Sequence, residues 1–257
     1  MTQISLAGRT ALITGASRSI GIGAATARAL AEAGANIFTT YYRPVDVELN
    51  LEVDTHDAEN LIDELRGMGV QANGLEVDLA DPSAAHDLMK RVNEQVGLVD
   101  ILVNNATYSL DVDINALTAE ILDRHYEVNV RGMMLLSQAF VQQWNKPSGG
   151  RIINMTSGQG LHGMPDNLAY AVTKASVDVF TVSLSEAVMS RGITVNTVEP
   201  GATDTGWMSA ELKAHIISRS PTGRVGMPED AARLIRFLVS DEAQWITGQL
   251  IRSRGGM

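Results

Sequence analysis

Six short apolar runs alternate with longer helical patterns along the chain, and this alternation limits the possible folds more than any other feature. The runs are rich in β-branched residues, as buried strands are, and lie at residues 10–15, 36–42, 74–78, 100–105, 151–157 and 192–200. Helical patterns lie near 23–33, 56–68, 82–96, 118–144 and 168–190, and a later one runs from Pro228 to about Ser240. Strands and helices that alternate in this way form βαβ units. The sequence therefore predicts one α/β domain over residues 1–257, with a doubly wound parallel β-sheet covered by helices on both faces.

One stretch does not fit the alternation. Residues 43–56, "RPVDVELNLEVDTH", are too long for an ordinary connection between a strand and a helix. We expect an inserted surface loop there, with its acidic residues solvated rather than arranged around a metal ion.

Composition excludes several classes of function. The chain has 20 basic and 30 acidic residues, a formal net charge of −10, which argues against nucleic acid and anionic membranes as partners because both require a basic surface. The absence of cysteine excludes disulfides, thiol nucleophiles and cysteine-ligated metals. The five histidines are scattered without metal-ligand spacing, so we expect no metal site.

The sequence contains no pattern that predicts a targeting or membrane segment. Its start, "MTQISLAGRTALITG", lacks a basic stretch followed by an apolar run, so we expect no signal peptide. No uncharged apolar run approaches the roughly 20 residues that a membrane helix needs. We therefore expect a soluble, cytoplasmic protein.

A glycine-rich segment, "TGASRSIGIGAA", joins the first predicted strand to the first predicted helix. Gly15 ends the strand and the helix follows at about Gly23. In an open α/β sheet this position binds phosphates, because glycines let the backbone approach and the helix N-terminus offers free N–H groups. A tight turn without a ligand is the alternative explanation of the glycines, and we favour the phosphate-binding one.

Tyr170 and Lys174 are four residues apart on a predicted helix and so share one face. A phenol has a pKa of about 10, which a nearby ammonium lowers. The pair therefore suits a tyrosine that exchanges a proton. Taken alone, an exposed pair without function is the simpler interpretation.

Other polar positions accompany the Tyr170–Lys174 pair. Ser157 ends the fifth predicted strand, "NNA" (104–106) ends the fourth, and "EPGATDT" (199–205) follows the sixth. Asn129 lies in "EVNV", inside a predicted helix. Ligands of open α/β sheets bind at the carboxyl ends of the strands, where most of these residues fall.

These segments together resemble the short-chain dehydrogenase/reductase family over nearly the whole chain, from "LAGRTALITG" to "WITGQLIRSRGG". The resemblance implies a single-domain Rossmann-type fold and a glycine loop of the form T-G-x-x-x-G-x-G. Without a gap, Ser19 replaces the middle glycine and Gly21 is the third. With two residues inserted, Gly21, Ile22 and Gly23 match the family's Gly-Ile-Gly, and we favour this alignment because the following helix then continues as the family's does.

The resemblance also implies roles for individual residues. Tyr170 matches the family's acid/base, Lys174 the lysine that binds the nicotinamide ribose and lowers the tyrosine pKa, Ser157 the hydroxyl that orients the substrate carbonyl, and Asn129 the asparagine that holds a water in the proton relay. Arg254 stands where the family often has aspartate. The implied cofactor-binding residues are Gly15, Ser17, Arg18, Gly21, Ile22, Gly23, Arg43, Asp78, Leu79, Asn105, Ala106, Tyr170, Lys174, Pro200, Gly201, Thr203 and Thr205.

The end of the second predicted strand bears on the choice of nicotinamide. NAD-binding folds of this type carry an acidic residue there for the ribose 2′-hydroxyl, but this chain reads "TTYYRP", with no acid before Asp46. Arginine can instead bind a 2′-phosphate, and Arg18 and Arg43 are the candidates. We therefore expect NADP(H).

The expected reaction is hydride transfer between NADP(H) and a carbonyl or secondary alcohol, and the resemblance is nearest to bacterial 3-oxoacyl-(acyl-carrier-protein) reductases. An acidic carrier protein would need a basic patch, for which Lys146 and Arg191 are candidates. Residues 158–166 and 204–222 are expected to form the substrate walls, the second as a lid. A homotetramer or homodimer formed through helices 118–144 and 168–190 is also implied.

Two alternatives remain open. "SRSIGIG" faintly resembles the "RSI" loop of enoyl-thioester reductases, but those proteins have six residues between tyrosine and lysine, whereas Tyr170 and Lys174 have three. A regulatory protein that binds NADP(H) without turnover is the other alternative. It would not need the set of Asn129, Ser157, Tyr170 and Lys174.

Overall fold

The strands of the protein form a parallel sheet with the order β3-β2-β1-β4-β5-β6-β7. The structure is a computed structural model that describes residues 4–48 and 55–257. Each of the six strand pairs is parallel within these residues. The strands are β1 Thr10–Ile13, β2 Asn36–Tyr41, β3 Ala72–Glu76, β4 Ile101–Asn104, β5 Gly150–Met155, β6 Ile193–Glu199 and β7 Leu250–Arg252.

Helices cover both faces of this sheet, as the alternating pattern predicts. They are α1 Ile22–Glu32, α2 Arg43–Glu48, α3 Asp57–Gly67, α4 Ala84–Gln95, α5 Ala119–Tyr126, α6 Met133–Gln143, α7 Leu168–Val188, α8 Ala210–Arg219 and α9 Pro228–Leu238. A π-helical segment, Glu127–Gly132, joins α5 to α6 and interrupts the single helix predicted over 118–144.

Side chains of each strand alternate between two apolar clusters. Ala11 and Ile13 of β1 pack on one face with residues of α1 and α9, whereas Leu12 packs on the other with residues of α4 and α6. All three side chains are fully buried. A sheet buried on both faces accounts for the continuous apolar runs in the sequence. The predicted doubly wound α/β fold is confirmed.

The region 43–56 is not simply a loop, and that expectation was wrong in part. Residues 43–48 form α2, in which Pro44 is the second residue, a position that tolerates proline because its N–H has no helical partner. Arg43 is held by ion pairs with Glu59 and Glu76. Residues 49–54 lie outside the described part of the chain.

Two elements lacked a sequence signal. Strand β7 has only three residues, and the first and last of them are exposed, so the sequence shows no apolar run there. Helix α8 buries none of its residues, so it shows no apolar periodicity. Within residues 4–48 and 55–257, no helix combines the length and apolar character needed to cross a membrane. The same residues contain no group of three acidic or histidine side chains placed to hold a metal ion.

Candidate active site

A cavity of about 950 Å³ opens where the strands end, and we call it the carboxyl-edge cavity. Its walls come from the segments that follow β1, β2, β3, β4, β5 and β6. Ligands of doubly wound sheets bind at this edge. The predicted residues that line it are Gly15, Ser17, Arg18, Gly21, Ile22, Asp78, Leu79, Asn105, Ala106, Ser157, Tyr170, Pro200, Gly201, Thr203 and Thr205.

The glycine loop is packed against the segment after β4. Gly15 has a φ of +73°, and a Cβ there would lie 2.6 Å from Ala106 Cα. A Cβ at Gly23 would lie 2.6 Å from Gly15 O and 2.8 Å from Asn105 Nδ2. Both positions therefore require glycine, because any side chain would separate the loop from the helix and from Ala106.

The start of α1 agrees with the alignment that inserts two residues. Gly21 is the N-cap and Ile22 the first helical residue, so the Gly-Ile-Gly segment opens the helix. Ser19 is held in the enlarged turn by Asp57 Oδ2, which accepts hydrogen bonds from its N–H at 3.1 Å and its hydroxyl at 3.2 Å. Ile20 is exposed. The two inserted residues thus bulge away from the cavity.

Asn105 and Asp78 have structural partners in the cavity wall. The side-chain amide of Asn105 donates to the carbonyls of Thr14 and Gly15, each at 2.9 Å. Asp78 Oδ1 accepts from the Ala80 N–H at 2.9 Å, and its carboxylate pairs with Arg124 at 3.2 Å. These contacts fix the shape of the wall.

The two arginines proposed for a 2′-phosphate differ in placement. Arg18 lines the cavity, and its Nη1 donates to Thr205 O at 2.7 Å. Arg43 does not line it: its guanidinium lies 4.6 Å from the Tyr41 ring centre and pairs with Glu59 and Glu76. Arg43 is thus paired with carboxylates outside the cavity, which gives no support to its assignment as a phosphate ligand, and that assignment stays a prediction.

Asp46 is a cavity residue that the sequence did not reveal. It is buried on α2, lines the cavity, and interacts with Ser17 and Arg18. Burial raises the pKa of its carboxyl, although the Ser17 hydrogen bond and the Arg18 charge oppose that rise. It was missed because residues 43–48 were expected to be loop.

Ser157 and Tyr170 meet at the centre of the cavity. Ser157 follows β5, Tyr170 lies in the first turn of α7, and both line the cavity, where Ser157 interacts with the Tyr170 phenol. The Lys174 ammonium lies 5.5 Å from the Tyr170 ring centre and donates to Met155 O at 2.9 Å. Burial lowers the pKa of Lys174 to about 8, with Asp178 acting in the opposite direction.

The expected lowering of the Tyr170 pKa is not found. Burial raises that pKa, the Ser157 hydrogen bond lowers it, and the charge of Glu199 raises it further. The Lys174 ammonium lies over the ring and is bonded to the main chain, so it does not hold the phenol oxygen. In the protein by itself the hydroxyl therefore stays protonated, which suits a proton donor.

The Asn129 side chain is bonded to the segment after β4 and to α7. Its Nδ2 donates to Tyr108 O at 2.8 Å and Thr173 Oγ1 at 3.1 Å, and its Oδ1 accepts from the Tyr108 N–H at 2.7 Å and the Thr107 hydroxyl at 3.2 Å. Because the buried amide makes all of these bonds, the Asn129 side chain is committed to protein partners, and its role in a proton relay stays a prediction. Thr173 in turn donates to Tyr170 O at 2.8 Å, so Asn129 positions α7. It lies in the π-helical segment, and such segments frequently occur at functional sites.

The segment after β6 forms one wall of the cavity. The Thr203 hydroxyl donates to Pro200 O at 3.2 Å, and Trp207 Nε1 donates to Thr203 O at 2.9 Å. Thr203 thus satisfies its hydroxyl locally. Trp207 and Met164 line the cavity and come from the two segments that we expected to form substrate walls.

Known proteins resemble this chain along its length. A family model described as enoyl-(acyl carrier protein) reductase matches residues 15–257. An uncharacterized oxidoreductase of Bacillus subtilis, YjdA, is 44% identical over 248 residues, which are 96% of this chain and 95% of that protein. The 3-oxoacyl-(acyl-carrier-protein) reductase FabG of Staphylococcus aureus is 35% identical over 252 residues, 97% of this chain and 98% of its own.

Solved structures agree with these sequence matches. A short chain dehydrogenase from Burkholderia cenocepacia, crystallised in complex with NADP, is 34% identical and matches with a TM-score of 0.85 over 98% of both chains. The resemblance found in the sequence is confirmed by the matched length, the identity and the fold. The chain belongs to the short-chain dehydrogenase/reductase family and is an oxidoreductase.

Proposed function

We propose that this protein transfers a hydride between NADP(H) and a carbonyl or secondary alcohol, with Tyr170 as the general acid/base. One observation carries the proposal. The hydroxyl-bearing side chains of Ser157 and Tyr170 lie together in the wall of the carboxyl-edge cavity, and the buried Lys174 lies one helical turn beyond Tyr170. A cavity with two polar hydroxyls at its centre suits a carbonyl oxygen that gains negative charge.

The residues of the chain divide the chemistry between them. A bound nicotinamide supplies the hydride, while the protein supplies orientation and electrostatics. Ser157 donates a hydrogen bond to the substrate carbonyl oxygen, and Tyr170 gives that oxygen a proton during reduction. Lys174 would supply a positive charge to the ribose of a bound nicotinamide cofactor. The other cofactor contacts are the cavity residues given above together with Gly23, which does not line the cavity but lets the start of α1 pack closely on Gly15.

NADP(H) is preferred over NAD(H) in this proposal, and Arg18 is the cation that binds the 2′-phosphate. The Burkholderia neighbour was solved with NADP, which supports this choice. One observation favours NAD(H) instead. Asp46, buried beside Ser17 and Arg18, could accept a hydrogen bond from a ribose 2′-hydroxyl and would repel a phosphate.

Three variants decide between the two nicotinamides. Arg18→Met should weaken NADPH binding by about 10- to 100-fold, because a charge-assisted hydrogen bond contributes roughly 1.5–3 kcal/mol, and should leave NADH binding unchanged. Asp46→Asn should tighten NADPH binding. Arg43→Met is the matched control, since its guanidinium is neutralised outside the cavity, and should leave both dissociation constants unchanged. Tighter binding of NADH than of NADPH by the wild-type protein would refute the preference.

The substrate is proposed to be an uncharged ketone or a 3-oxoacyl thioester. The identity with FabG supports the thioester. The charged residues lining the cavity favour an uncharged ketone, since four are acidic (Asp46, Glu48, Asp78 and Asp111) and one, Arg18, is basic.

The two residues predicted to form a basic patch for a carrier protein lie away from the carboxyl-edge cavity. Lys146 pairs with Asp100, which immediately precedes β4. Arg191 lies two residues before the start of β6, and its Nη2 donates to Val141 O at 2.6 Å. Both residues therefore lie at the amino ends of the strands, opposite the cavity, and cannot guide a carrier to it.

An assay of NADPH oxidation with acetoacetyl and crotonyl thioesters and a panel of ketones tests the function. Reduction of carbonyl groups is expected. Reduction of crotonyl but not acetoacetyl thioesters would instead support an enoyl reductase, the activity in the description of the matched family model. Cofactor binding with no turnover of any compound would support a regulatory protein.

A homo-oligomer, either a tetramer or a dimer, is part of the proposal. Exposed apolar side chains support it, because clusters of them on a soluble surface commonly mark protein interfaces. They occur on α5 and α6 and along one face of α7, at Leu122, Tyr126, Met134, Val172, Val179 and Val182. Sedimentation velocity would show a monomer if this part is wrong.

A further inference from the structure

The enlarged glycine loop reaches across to the segment that follows β6. Ile20 lies outside the wall of the carboxyl-edge cavity, but a Cβ placed on Gly206, which does line the cavity, would lie 3.0 Å from Ile20 Cδ1. The same Cβ would lie 3.9 Å from Arg18 Nη1, and that nitrogen donates a hydrogen bond to Thr205 O at 2.7 Å. The loop after β1 therefore contacts Thr205 and Gly206 at the edge of the cavity.

The two inserted residues, Ser19 and Ile20, form what we call the inserted turn, and it is anchored on the side away from Gly206. Asp57, at the start of α3, accepts hydrogen bonds from the Ser19 N–H and hydroxyl, and Arg28 of α1 donates to Ser19 O at 2.8 Å. Because these bonds join the N–H, hydroxyl and carbonyl of Ser19 to two helices, the inserted turn is a fixed support. It presents the apolar side chain of Ile20, which is 53% exposed.

Residues 204–222, which we call the lid segment, bury little of their own surface. The segment contains α8, none of whose residues is buried. Lys213 of α8 pairs with Asp204, and Trp207 Nε1 donates to Thr203 O at 2.9 Å. Both contacts lie within residues 203–213, so they shape the segment without fixing it to the sheet. A segment with so little buried surface opens at a low free-energy cost, so each contact with a fixed support has a large influence on its position.

Gly206 is the point at which the lid segment receives Ile20. Its φ is +83°, a left-handed conformation that favours glycine, and the missing Cβ leaves the space that Ile20 Cδ1 approaches. The next residue, Trp207, lines the cavity. The contact between Ile20 and Gly206 therefore sets how closely Trp207 covers the cavity.

We propose that the inserted turn is the docking site of the lid segment, with Ile20 as the positioning residue that holds Gly206, and through it Trp207, over the carboxyl-edge cavity. The inference rests on the proposed function, because it takes this cavity to be the place where the substrate binds. It gives the two inserted residues a role: they lengthen the loop far enough to reach the segment after β6. Arg18 adds a hydrogen bond to the same docking site.

Three variants at position 20 test this contact. Ile20→Val removes Cδ1, the atom that lies against Gly206, and Ile20→Ala removes the rest of the branched side chain as well. Ile20→Leu keeps a methyl carbon at the δ position. Ile114→Ala is the matched control, because Ile114 is also an exposed isoleucine, at 66%, and lies outside the cavity wall. Arg18 is kept in every variant, since the proposed function assigns it to the 2′-phosphate.

Amide hydrogen exchange, measured by mass spectrometry on the protein without ligands, reports opening of the lid segment independently of turnover. Residues 204–209 should exchange about fourfold faster in Ile20→Val, the equivalent of roughly 0.8 kcal/mol for one buried carbon, and at least as much faster in Ile20→Ala. Ile20→Leu and Ile114→Ala should exchange as the wild type does. Exchange in α9 should be the same in all of these proteins.

Steady-state kinetics with a ketone give a second readout. An opened lid segment lowers the fraction of protein that is ready to bind substrate, so KM should rise in Ile20→Ala. The rise should not exceed the factor found for hydrogen exchange. The value of kcat should not change, because Ser157 and Tyr170 keep their places once the substrate has closed the segment. Ile20→Leu should have the wild-type KM.

The outcomes separate the docking site from the proposed function. Wild-type exchange of residues 204–209 in Ile20→Ala, with normal carbonyl turnover, would overturn the docking site and leave the function standing. Faster exchange spread evenly over the sheet would also overturn it, because that pattern reports a general loss of stability. Faster exchange of the lid segment with an unchanged KM would refute the positioning of Trp207. Faster exchange confined to the lid segment, in a protein that turns over no carbonyl compound, would support the docking site and refute the function.

Discussion

Tyr170→Phe will lose carbonyl reduction while keeping NADPH affinity. Proton transfer by a positioned side chain typically contributes about 10²–10⁴-fold to the rate, and phenylalanine has no proton to give. The ring itself remains, so its packing beside Lys174 and the cavity wall should persist. The measurement is turnover of the best ketone together with the dissociation constant of NADPH, determined by fluorescence titration.

Tyr126→Phe is the control for this experiment. Tyr126 is also a helical tyrosine, but half of its surface is exposed and it does not line the cavity. Its loss of a hydroxyl should leave turnover unchanged. If Tyr170→Phe retains turnover within about tenfold of wild type, Tyr170 is not the acid/base, since the loss would lie below the range expected for general acid catalysis.

The direction of the pH dependence follows from the environment of Tyr170. Burial and Glu199 raise the pKa of its phenol, so the protonated form persists above neutral pH. Reduction, which uses the protonated form, should hold its rate as pH rises and fall only beyond the raised pKa. Oxidation should accelerate over the same range. An oxidation rate that is flat with pH would show that another step or another group controls the reaction.

The sequence predicts this fold well because burial on both faces leaves a readable pattern. The strands β1, β2, β4, β5 and β6 are almost wholly buried, whereas β3, β7 and α8 bury much less and leave a weaker pattern. The meeting of Ser157 and Tyr170 was predictable for a related reason. One follows a strand and the other begins a helix at the same edge of the sheet, so topology alone brings them together.

The sequence could not show which polar side chains already have an ion-pair or hydrogen-bond partner within the protein. Arg43 satisfies the requirement for a cation near β2 in the sequence, yet Glu59 and Glu76, from α3 and β3, neutralise it. The amide of Asn129 is filled by partners from a loop and from α7. These partners come from distant parts of the chain, so no local pattern indicates them.

The direction of the Tyr170 pKa shift was mispredicted for the same reason: we expected a lowered pKa, whereas the pKa is raised. Helical spacing correctly places Lys174 one turn away, but it does not show that the ammonium donates to Met155 O. Nor does it show that Glu199, from β6, is the charge that acts on the phenol. Spacing predicts proximity along one helix, whereas a pKa depends on every element that packs around the group.

Gly15→Ala should both destabilise the protein and weaken its binding of NADPH. We expect these losses to be larger than those from alanine at the other glycines with positive φ near the start of the chain. Gly15 has a φ of +73°, where alanine costs roughly 1–2 kcal/mol. The added Cβ would also lie 2.6 Å from Ala106 Cα and 2.9 Å from Ala106 N, both backbone atoms that cannot move away alone. Overpacking of this kind costs typically 1–3 kcal/mol more.

Gly8→Ala isolates the steric part of this effect. Gly8 has nearly the same φ, +78°, but nothing lies within 4 Å of a Cβ placed there. Both variants should therefore lose about the same stability from backbone strain, and the difference between them measures the clash with Ala106. Denaturant titration should show Gly15→Ala to be the less stable by roughly 1–3 kcal/mol.

The same comparison tests whether the loop binds the cofactor. Relief of the clash must push Gly15 away from Ala106, which widens the place where the pyrophosphate would approach the backbone. Gly15→Ala should weaken NADPH binding at least tenfold. Gly8→Ala should leave NADPH binding unchanged, because Gly8 lies in a turn at the amino end of β1. If both variants bind NADPH as the wild type does, the loop is only a tight connection between β1 and α1. The cofactor must then be held by other walls of the cavity.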